Sequence, residues 1–544
     1  MRGTASGTAA VTMFFAAAVG TAVGWAAETP ARLCDAARPL NRPPGAPKPS
    51  DVIMRTLRLH PRGADDPHDT GQAVRQFHVT RLQWSYVTDA EFIEKLEAAG
   101  RTFGGAASAP SFVPEDPDSD WYDRVVIKNI EGRPIIAPWK RTWNRTLWGC
   151  INNPELERGY LRYLEEYIDA GADVMQRDEP GANHLATRWG GCFCDHCTEG
   201  FRRYLAEHTS PAEREGLGIG DVESFNYRDH LKQAGAPAGD AFGRWDGGKL
   251  KELFVRFQME ATVAFHRRTR TAIDRYAGRH VPMSCNNGAR RWTPVQLGFD
   301  WAFGELSYGH ARPATIHGTM REAARHGRIQ VVTMPKKGNY DNPGEWQART
   351  RRTIATAYAA GGLCMVPWDV YMPSNAPRYF GTPGQYADLF GFIRAAAAYL
   401  DGYEEAGAVG NGLTGPALAG GPALAGGPAV SLSGAGGDVS AFIRARPGDA
   451  DAPVVVHLID WGEAPKPVTI RLRRAAFFGD RPVSVKLLTP APYDAAAHAE
   501  AETTGDFSKL LVEEPLAVTE EDGEAQVEVP ALRPWGILVV RPAG

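Results

Sequence analysis

Between residues 75 and 405 the chain switches repeatedly between short β-rich runs and helical segments, and this alternation narrows its fold more than any other feature. The runs that read as strands are 79–86 (VTRLQWSY), 101–107, 135–139 (IIAPW), 173–178 (DVMQRD), 280–285, 299–306, 328–334 (RIQVVTM) and 362–368 (GLCMVPW). Helical patterns stand between most of them, at 89–99, 155–170, 249–277, 314–326, 343–360 and 384–400. Strands separated by helices pair in parallel. Eight such alternations in about 330 residues favour a closed (β/α)8 TIM barrel over an open α/β sheet.

The flanks read differently. Residues 1–27 combine a charged start at Met1-Arg2, an apolar middle and a small-residue end at Ala26-Ala27, the pattern of a signal peptide. Residues 28–74 form a Pro-rich N-terminal segment whose 38–47 stretch suits a tether. The Gly/Pro/Ala repeat within 406–429 reads as a linker. From 430 to 544, short alternating or apolar runs (454–459, 468–472, 483–487, 525–529, 536–540) follow one another without helices, the pattern of an antiparallel β-sandwich. No other run of about 18 apolar residues is present, so a membrane span is not expected. A formal net charge of -4 argues against nucleic acid as a partner.

Seven cysteines in 544 residues do not make a disulfide scaffold. Cys150 stands alone, and Cys192, Cys194 and Cys197 follow as C-x-C-x2-C. Thiolates prefer zinc, and four of them close a tetrahedral structural site that leaves no open position for chemistry. A structural zinc on these four cysteines is the reading preferred here, with a disulfide as the alternative. Cys34, Cys285 and Cys364 are expected to be free thiols.

Reactive groups of such barrels come from the C-terminal ends of the strands. The fourth expected strand ends at Asp178-Glu179, the sixth at Glu305 and the eighth at Trp368-Asp369. The first offers Trp84 and Tyr86, the fifth Asn286 and the seventh Lys336. Cleaving a glycosidic bond takes one protonated carboxyl on the leaving oxygen and one carboxylate that attacks the sugar or activates water. Acids on strands four and six, among aromatics that stack on sugar rings, supply those parts. Asp178, Glu179 and Glu305 are therefore the catalytic candidates. Trp84, Tyr86, Asn286, Lys336, Trp368 and Asp369 are the candidates for substrate contact, with Trp143 as a further platform. Each has a structural alternative: Asp178 pairing with Arg177, Glu305 bonding nearby backbone, Asp369 positioning Arg378, the aromatics filling core.

The stretch from Asp178-Glu179-Pro180 through Cys192-Phe193-Cys194-Asp195-His196-Cys197 to Phe201-Arg202-Arg203-Tyr204-Leu205 resembles a segment of the glycoside hydrolase family 42 β-galactosidases. There an Asn-Glu pair precedes the same cysteine spacing and a helix opening with Phe-Arg, and a fourth zinc cysteine comes from an upstream loop, as Cys150 would. The resemblance implies Glu179 as general acid/base. Two departures count against a simple transfer. The asparagine is Asp178, and the glutamate nucleophile that closes the family's seventh strand has no counterpart in Val331-Val332-Thr333-Met334-Pro335-Lys336. The chain also resembles glycosyl-hydrolase-like barrels related to α-amylases and α-fucosidases, in which an aspartate closing strand four is the nucleophile. That resemblance implies that Asp178 attacks and Glu305 donates the proton. The family 42 trimerisation domain has no counterpart here. The expectation is a secreted or periplasmic glycoside hydrolase acting on oligo- or polysaccharides without an organic cofactor. The alternative is a secreted carbohydrate-binding protein on the same barrel that has lost turnover.

Overall fold

The structure is a computed structural model that describes residues 32–60, 66, 68–111, 119–141, 148–289, 291–333, 343–369, 381–413, 427–434 and 438–543. Eight parallel strands close a barrel: β1 (Ile53–Arg55), β2 (Arg81–Ser85), β3 (Thr102–Ser108), β4 (Val174–Asp178), β5 (Met283–Asn286), β6 (Trp301–Glu305), β7 (Ile329–Thr333) and β8 (Leu363–Pro367). Their residues are almost all buried, because one face of each strand fills the barrel and the other meets the surrounding helices.

The barrel class is as expected, but its first strand lies elsewhere. Ile53–Arg55, inside the segment read as a Pro-rich lead-in, opens the sheet and pairs with both β2 and β8. The run at 135–139 forms no barrel strand; Pro138–Lys140 is a 3-10 helix in a long excursion between β3 and β4. Trp84 therefore belongs to the second strand, while strands four to eight keep their expected places. A three-residue strand gains little from its own ladder, so its flanks are tied down. The Tyr358 hydroxyl donates to the Asp51 carbonyl at 2.7 Å, Ser50 Oγ donates to Asp401 at 2.7 Å, and Arg42 pairs with Glu404 at 3.0 Å.

The helix Pro154–Asp169 shows how sequence sets this packing. Asn153 accepts from the Glu155 amide as N-cap, Pro154 occupies the first turn, and Glu155 and Glu157 add negative charge there. Leu156, Tyr160, Leu164 and Tyr167 then recur at helical spacing and form the buried face. Tyr167 lies so close to β3 that a Cβ on Gly105 would fall 2.4 Å from its ring, so glycine is required there.

Two excursions rise from the barrel. One joins β3 to Pro154–Asp169; the other follows β4 and leads to the 30-residue helix Gly248–Ala277. The second carries its own small core, in which Phe193, Phe201 and Tyr227 pack on Phe254 and Phe257 of the long helix.

The C-terminal part is an antiparallel sandwich of β9 (Glu404–Gly410), β10 (Val430–Ser433), β11 (Val439–Ala445), β12 (Val454–Asp460), β13 (Val468–Arg473), β14 (Val483–Pro490), β15 (Leu511–Leu516), β16 (Val518–Glu521), β17 (Glu524–Val529) and β18 (Trp535–Pro542). One sheet has the order β10-β13-β17-β16 and the other β15-β14-β18-β12-β11-β9. The sandwich thus takes its first strand from residues that straddle the expected barrel end at 405 and the start of the expected linker. Residues 414–426, which hold all of the 415–427 repeat except its last glycine, lie outside the described residues, as do residues 1–27. Strand alternation lets the larger sheet serve two cores: Val455 and Ile459 of β12 pack with the barrel, while Val454, Val456 and Leu458 face the second sheet. Among the described residues no helix is long and apolar enough to cross a membrane.

Candidate active site

β4 ends by presenting two carboxylates in succession, and their side chains diverge. Asp178 faces across the mouth. Its Oδ2 accepts from the Tyr86 hydroxyl at 2.9 Å, and its Oδ1 accepts from Asn286 Nδ2 at 3.1 Å and from the Glu179 amide at 2.9 Å. Tyr86 lies just past β2 and Asn286 closes β5, so three strand ends converge on one carboxylate. Burial first, and then the charge of Asp178, push the Tyr86 hydroxyl well above its usual range. Tyr86 is accordingly a neutral donor, and its oxygen accepts in turn from Trp84 Nε1 at 3.3 Å.

Glu305 closes β6 with 47% of its side chain exposed. Arg55, at the end of β1, places Nη1 3.8 Å from Glu305 Oε1 and stacks its guanidinium 3.7 Å from the centre of the Trp84 ring. A cleft of about 230 Å³ lined by Gly288, Ala289, Leu306, Ser307 and His310 opens beside Glu305. Gly304 makes this approach possible. A Cβ there would meet the Ala289 backbone nitrogen at 2.2 Å, so only glycine lets the loop after β5 lie against the end of β6.

Glu179 is engaged differently. Its Oε2 accepts from Ser108 Oγ and Ser111 Oγ, both at 2.5 Å, and from Lys140 Nζ at 2.6 Å, while Oε1 accepts from Trp139 Nε1 at 3.2 Å. The Lys140 and Glu179 side chains are only 7% and 11% exposed. Four donors, one of them the Lys140 side-chain nitrogen, occupy both its oxygens. Its backbone has φ of 51°, a left-handed conformation that costs a non-glycine residue free energy and that this set of bonds offsets. Behind the same turn, His266 Nε2 donates to the Pro180 carbonyl at 2.8 Å, and burial pushes the His266 imidazole down to about 3, so it is neutral.

Other expected contact residues lie away from the opening. Asp369 is fully buried: Oδ1 accepts from the Leu57 amide at 2.6 Å, and Oδ2 accepts from the Arg58 amide at 3.2 Å and from His60 Nε2 at 3.0 Å. It braces the loop after β1 rather than facing a sugar. Trp84 and Trp368 have no exposed surface; Trp84 serves as the floor under Arg55. Lys336 and Trp143 lie outside the described residues. Conversely, no sequence pattern singles out Arg55, Trp139 or Lys140. Arg55 ends a run too short to register as a strand, and Trp139-Lys140 follow a proline inside what read as one.

Cys150, Cys192, Cys194 and Cys197 form a buried cluster with all four sulfurs within 4.8 Å of one another. Cys150 Sγ lies 3.4 Å from Cys197 Sγ and 3.5 Å from Cys194 Sγ. Tetrahedral thiolates at about 2.3 Å from zinc stand roughly 3.8 Å apart, so the cluster fits a metal ion of that kind. The Nδ2 groups of Asn152 and Asn183 point at Cys197 and Cys150 sulfurs from 3.2 Å, supplying the donors that metal thiolates take from their surroundings. Cys150 belongs to the excursion after β3 and the other three to the excursion after β4. The cluster is a staple between them. The remaining cysteines, Cys34, Cys285 and Cys364, are buried free thiols.

Fold and site together define a (β/α)8 barrel with a C-terminal β-sandwich and acidic groups at the barrel mouth. No protein-family model matches the chain. It is 26% identical over 286 residues to an alpha-agarase of Thalassotalea agarivorans, covering 48% of this chain and 19% of that protein. It is 25% identical over 279 residues to an alpha-agarase of Alteromonas agarilytica, covering 47% and 19%. The chain thus matches about a fifth of the length of these relatives. Among solved structures, a cycloisomaltooligosaccharide glucanotransferase of Paenibacillus sp. shares the fold with a TM-score of 0.53 at 9% identity, over 90% of this chain and 85% of that one. An alpha-L-fucosidase of Paenibacillus thiaminolyticus does so with 0.50 at 11% identity, over 91% and 99%.

Proposed function

We propose that the protein is an exported glycoside hydrolase that cleaves O-glycosidic bonds of agar or its oligosaccharides, with Asp178 as nucleophile and Glu305 as proton donor. The observation that carries this reading is the contrast at the mouth. Asp178 is oriented through both oxygens by neutral donors, and Glu305 stands open to solvent beside a cleft. The alpha-agarase likeness supports the substrate class, and the shared fold of a glucanotransferase and a fucosidase supports sugar chemistry.

In this mechanism Glu305 protonates the glycosidic oxygen as the bond to the anomeric carbon breaks. Asp178 meets the positive charge growing on that carbon and forms the glycosyl ester. Tyr86 and Asn286 hold Asp178 at the angle of attack. The deprotonated Glu305 then activates the water that releases the sugar. Glu179, assigned as acid/base by the family 42 resemblance, has both oxygens occupied and is a positioning residue here. Cys150, Cys192, Cys194 and Cys197 would hold zinc in a structural role, tying the two excursions together.

Agar incubated with the protein should release reducing ends with retained anomeric configuration. Asp178→Asn and Glu305→Gln should each lower kcat by at least about 10³-fold while oligosaccharide binding persists. Hydrolysis that survives Glu305→Gln overturns the pairing. Binding by the wild type without any released ends returns the protein to the class of carbohydrate-binding barrels.

A further inference from the structure

Trp139, Tyr276 and Val512 are the large apolar side chains left exposed among the described residues, and Trp139 touches a mouth carboxylate. A single exposed indole is unremarkable by itself. Trp139 differs in being braced. Its Nε1 donates to Glu179, and its ring stands edge-to-face with Trp148 at 5.7 Å and with Trp189 at 5.3 Å. Trp148 and Trp189 contact each other at 4.8 Å and share a buried core with all four clustered cysteines. The next residue, Lys140, is anchored to Ser111 and Glu179. An indole 46% exposed and fixed on three sides has lost its rotameric freedom before any ligand arrives. Its π-face suits the C–H face of a sugar ring, which is apolar and carries partial positive charge.

Building on the functional reading above, we propose that Trp139 is the stacking platform for a sugar unit next to the Asp178–Glu305 pair, and that the four-cysteine centre fixes its position. Trp148 and Trp189 connect the metal to the platform. Cys150 and Trp148 come from one excursion and Trp189 and the other cysteines from the second, so loss of the staple separates the supports of Trp139.

The test measures affinity for agar oligosaccharides by calorimetry in an Asp178→Asn background, where turnover does not interfere. Trp139→Ala should weaken binding about tenfold or more, and Trp139→Phe should restore part of it. Chelation should release about one metal per chain, by elemental analysis. In protein that circular dichroism shows to be still folded, it should shift the Trp139 emission, taken as wild type minus Trp139→Phe, to the red, and weaken binding as far as Trp139→Ala does. Unchanged affinity in Trp139→Ala overturns the platform. Metal loss that leaves emission and affinity unchanged overturns the coupling. A wild-type protein that binds none of these oligosaccharides overturns the functional reading and the platform with it.

Discussion

Asp178 closes β4 in extended backbone and Glu179 follows with a left-handed φ of 51°, and this change of backbone conformation sends two adjacent carboxylates to different partners. Asp178 meets an amide and a phenol, donors that orient it without a neutralising charge. Glu179 meets an ammonium. Removing one charge of such a largely buried pair costs about 3–5 kcal/mol, because the other is left without its partner. Glu179→Gln should therefore lower the thermal midpoint clearly while reducing kcat far less than Asp178→Asn does. A midpoint unchanged from wild type, combined with a loss of kcat as large as that of Asp178→Asn, would return the acid/base role to Glu179. Sequence alone brought these two residues and Glu305 to the right strand ends, since the rule about C-terminal ends needs only strand positions. It did not separate their roles, because Lys140 and Trp139 come from an excursion whose path no local pattern encodes. Trp84 and Trp368 read as platforms because composition does not distinguish a buried indole from an open one.

Among the elements, β1 carries no strand signal in the sequence, whereas the run at 135–139 reads as a strand and forms none in the barrel. Three residues give no period to detect, and the flanking prolines suggest a tether. The Ile135-Ile136 run is apolar for another reason: Ile135 packs beside the cysteine cluster. The C-x-C-x2-C spacing, in contrast, points directly to the cysteine cluster, since its geometry is local apart from Cys150. Glycines control the closest approaches between elements, and Gly304 does so nearest the chemistry. Gly304→Ala should push the loop at 287–289 away from β6 and displace both Asn286 and Glu305. The expected result is a fall in kcat of about tenfold or more with the circular dichroism of the wild type retained. Wild-type kcat in that variant would show that the close approach to Ala289 does not position the site.

At the scale of the whole molecule, buried histidines make stability depend on pH. Burial holds His266, behind the β4 turn, and His457, in the sheet against the barrel, down to about 3. Unfolded, each takes up a proton near pH 6.5, so between that value and about 3 the unfolded chain binds more protons than the folded one. Stability contributed by these groups is thus present at neutral pH and is lost as the pH falls below about 6.5, with a slope of up to about 1.4 kcal/mol per pH unit for each. Thermal melts should show a lower midpoint at pH 5 than at pH 7, and His457→Leu should flatten the difference. A midpoint independent of pH over that interval would remove the argument. Closure of the barrel has a consequence in time as well. Ile53 pairs with Met365, about 310 positions later, and Arg55 of β1 reaches Glu305 of β6 across the barrel only once that seam is shut. At ordinary rates of synthesis, on the order of 15–60 s separate the emergence of β1 from that of β8, and contacts so distant in sequence form late. Through that interval the nascent chain carries an unsealed sheet and no assembled mouth. Only when the ring is sealed do the ends of all eight strands surround one mouth.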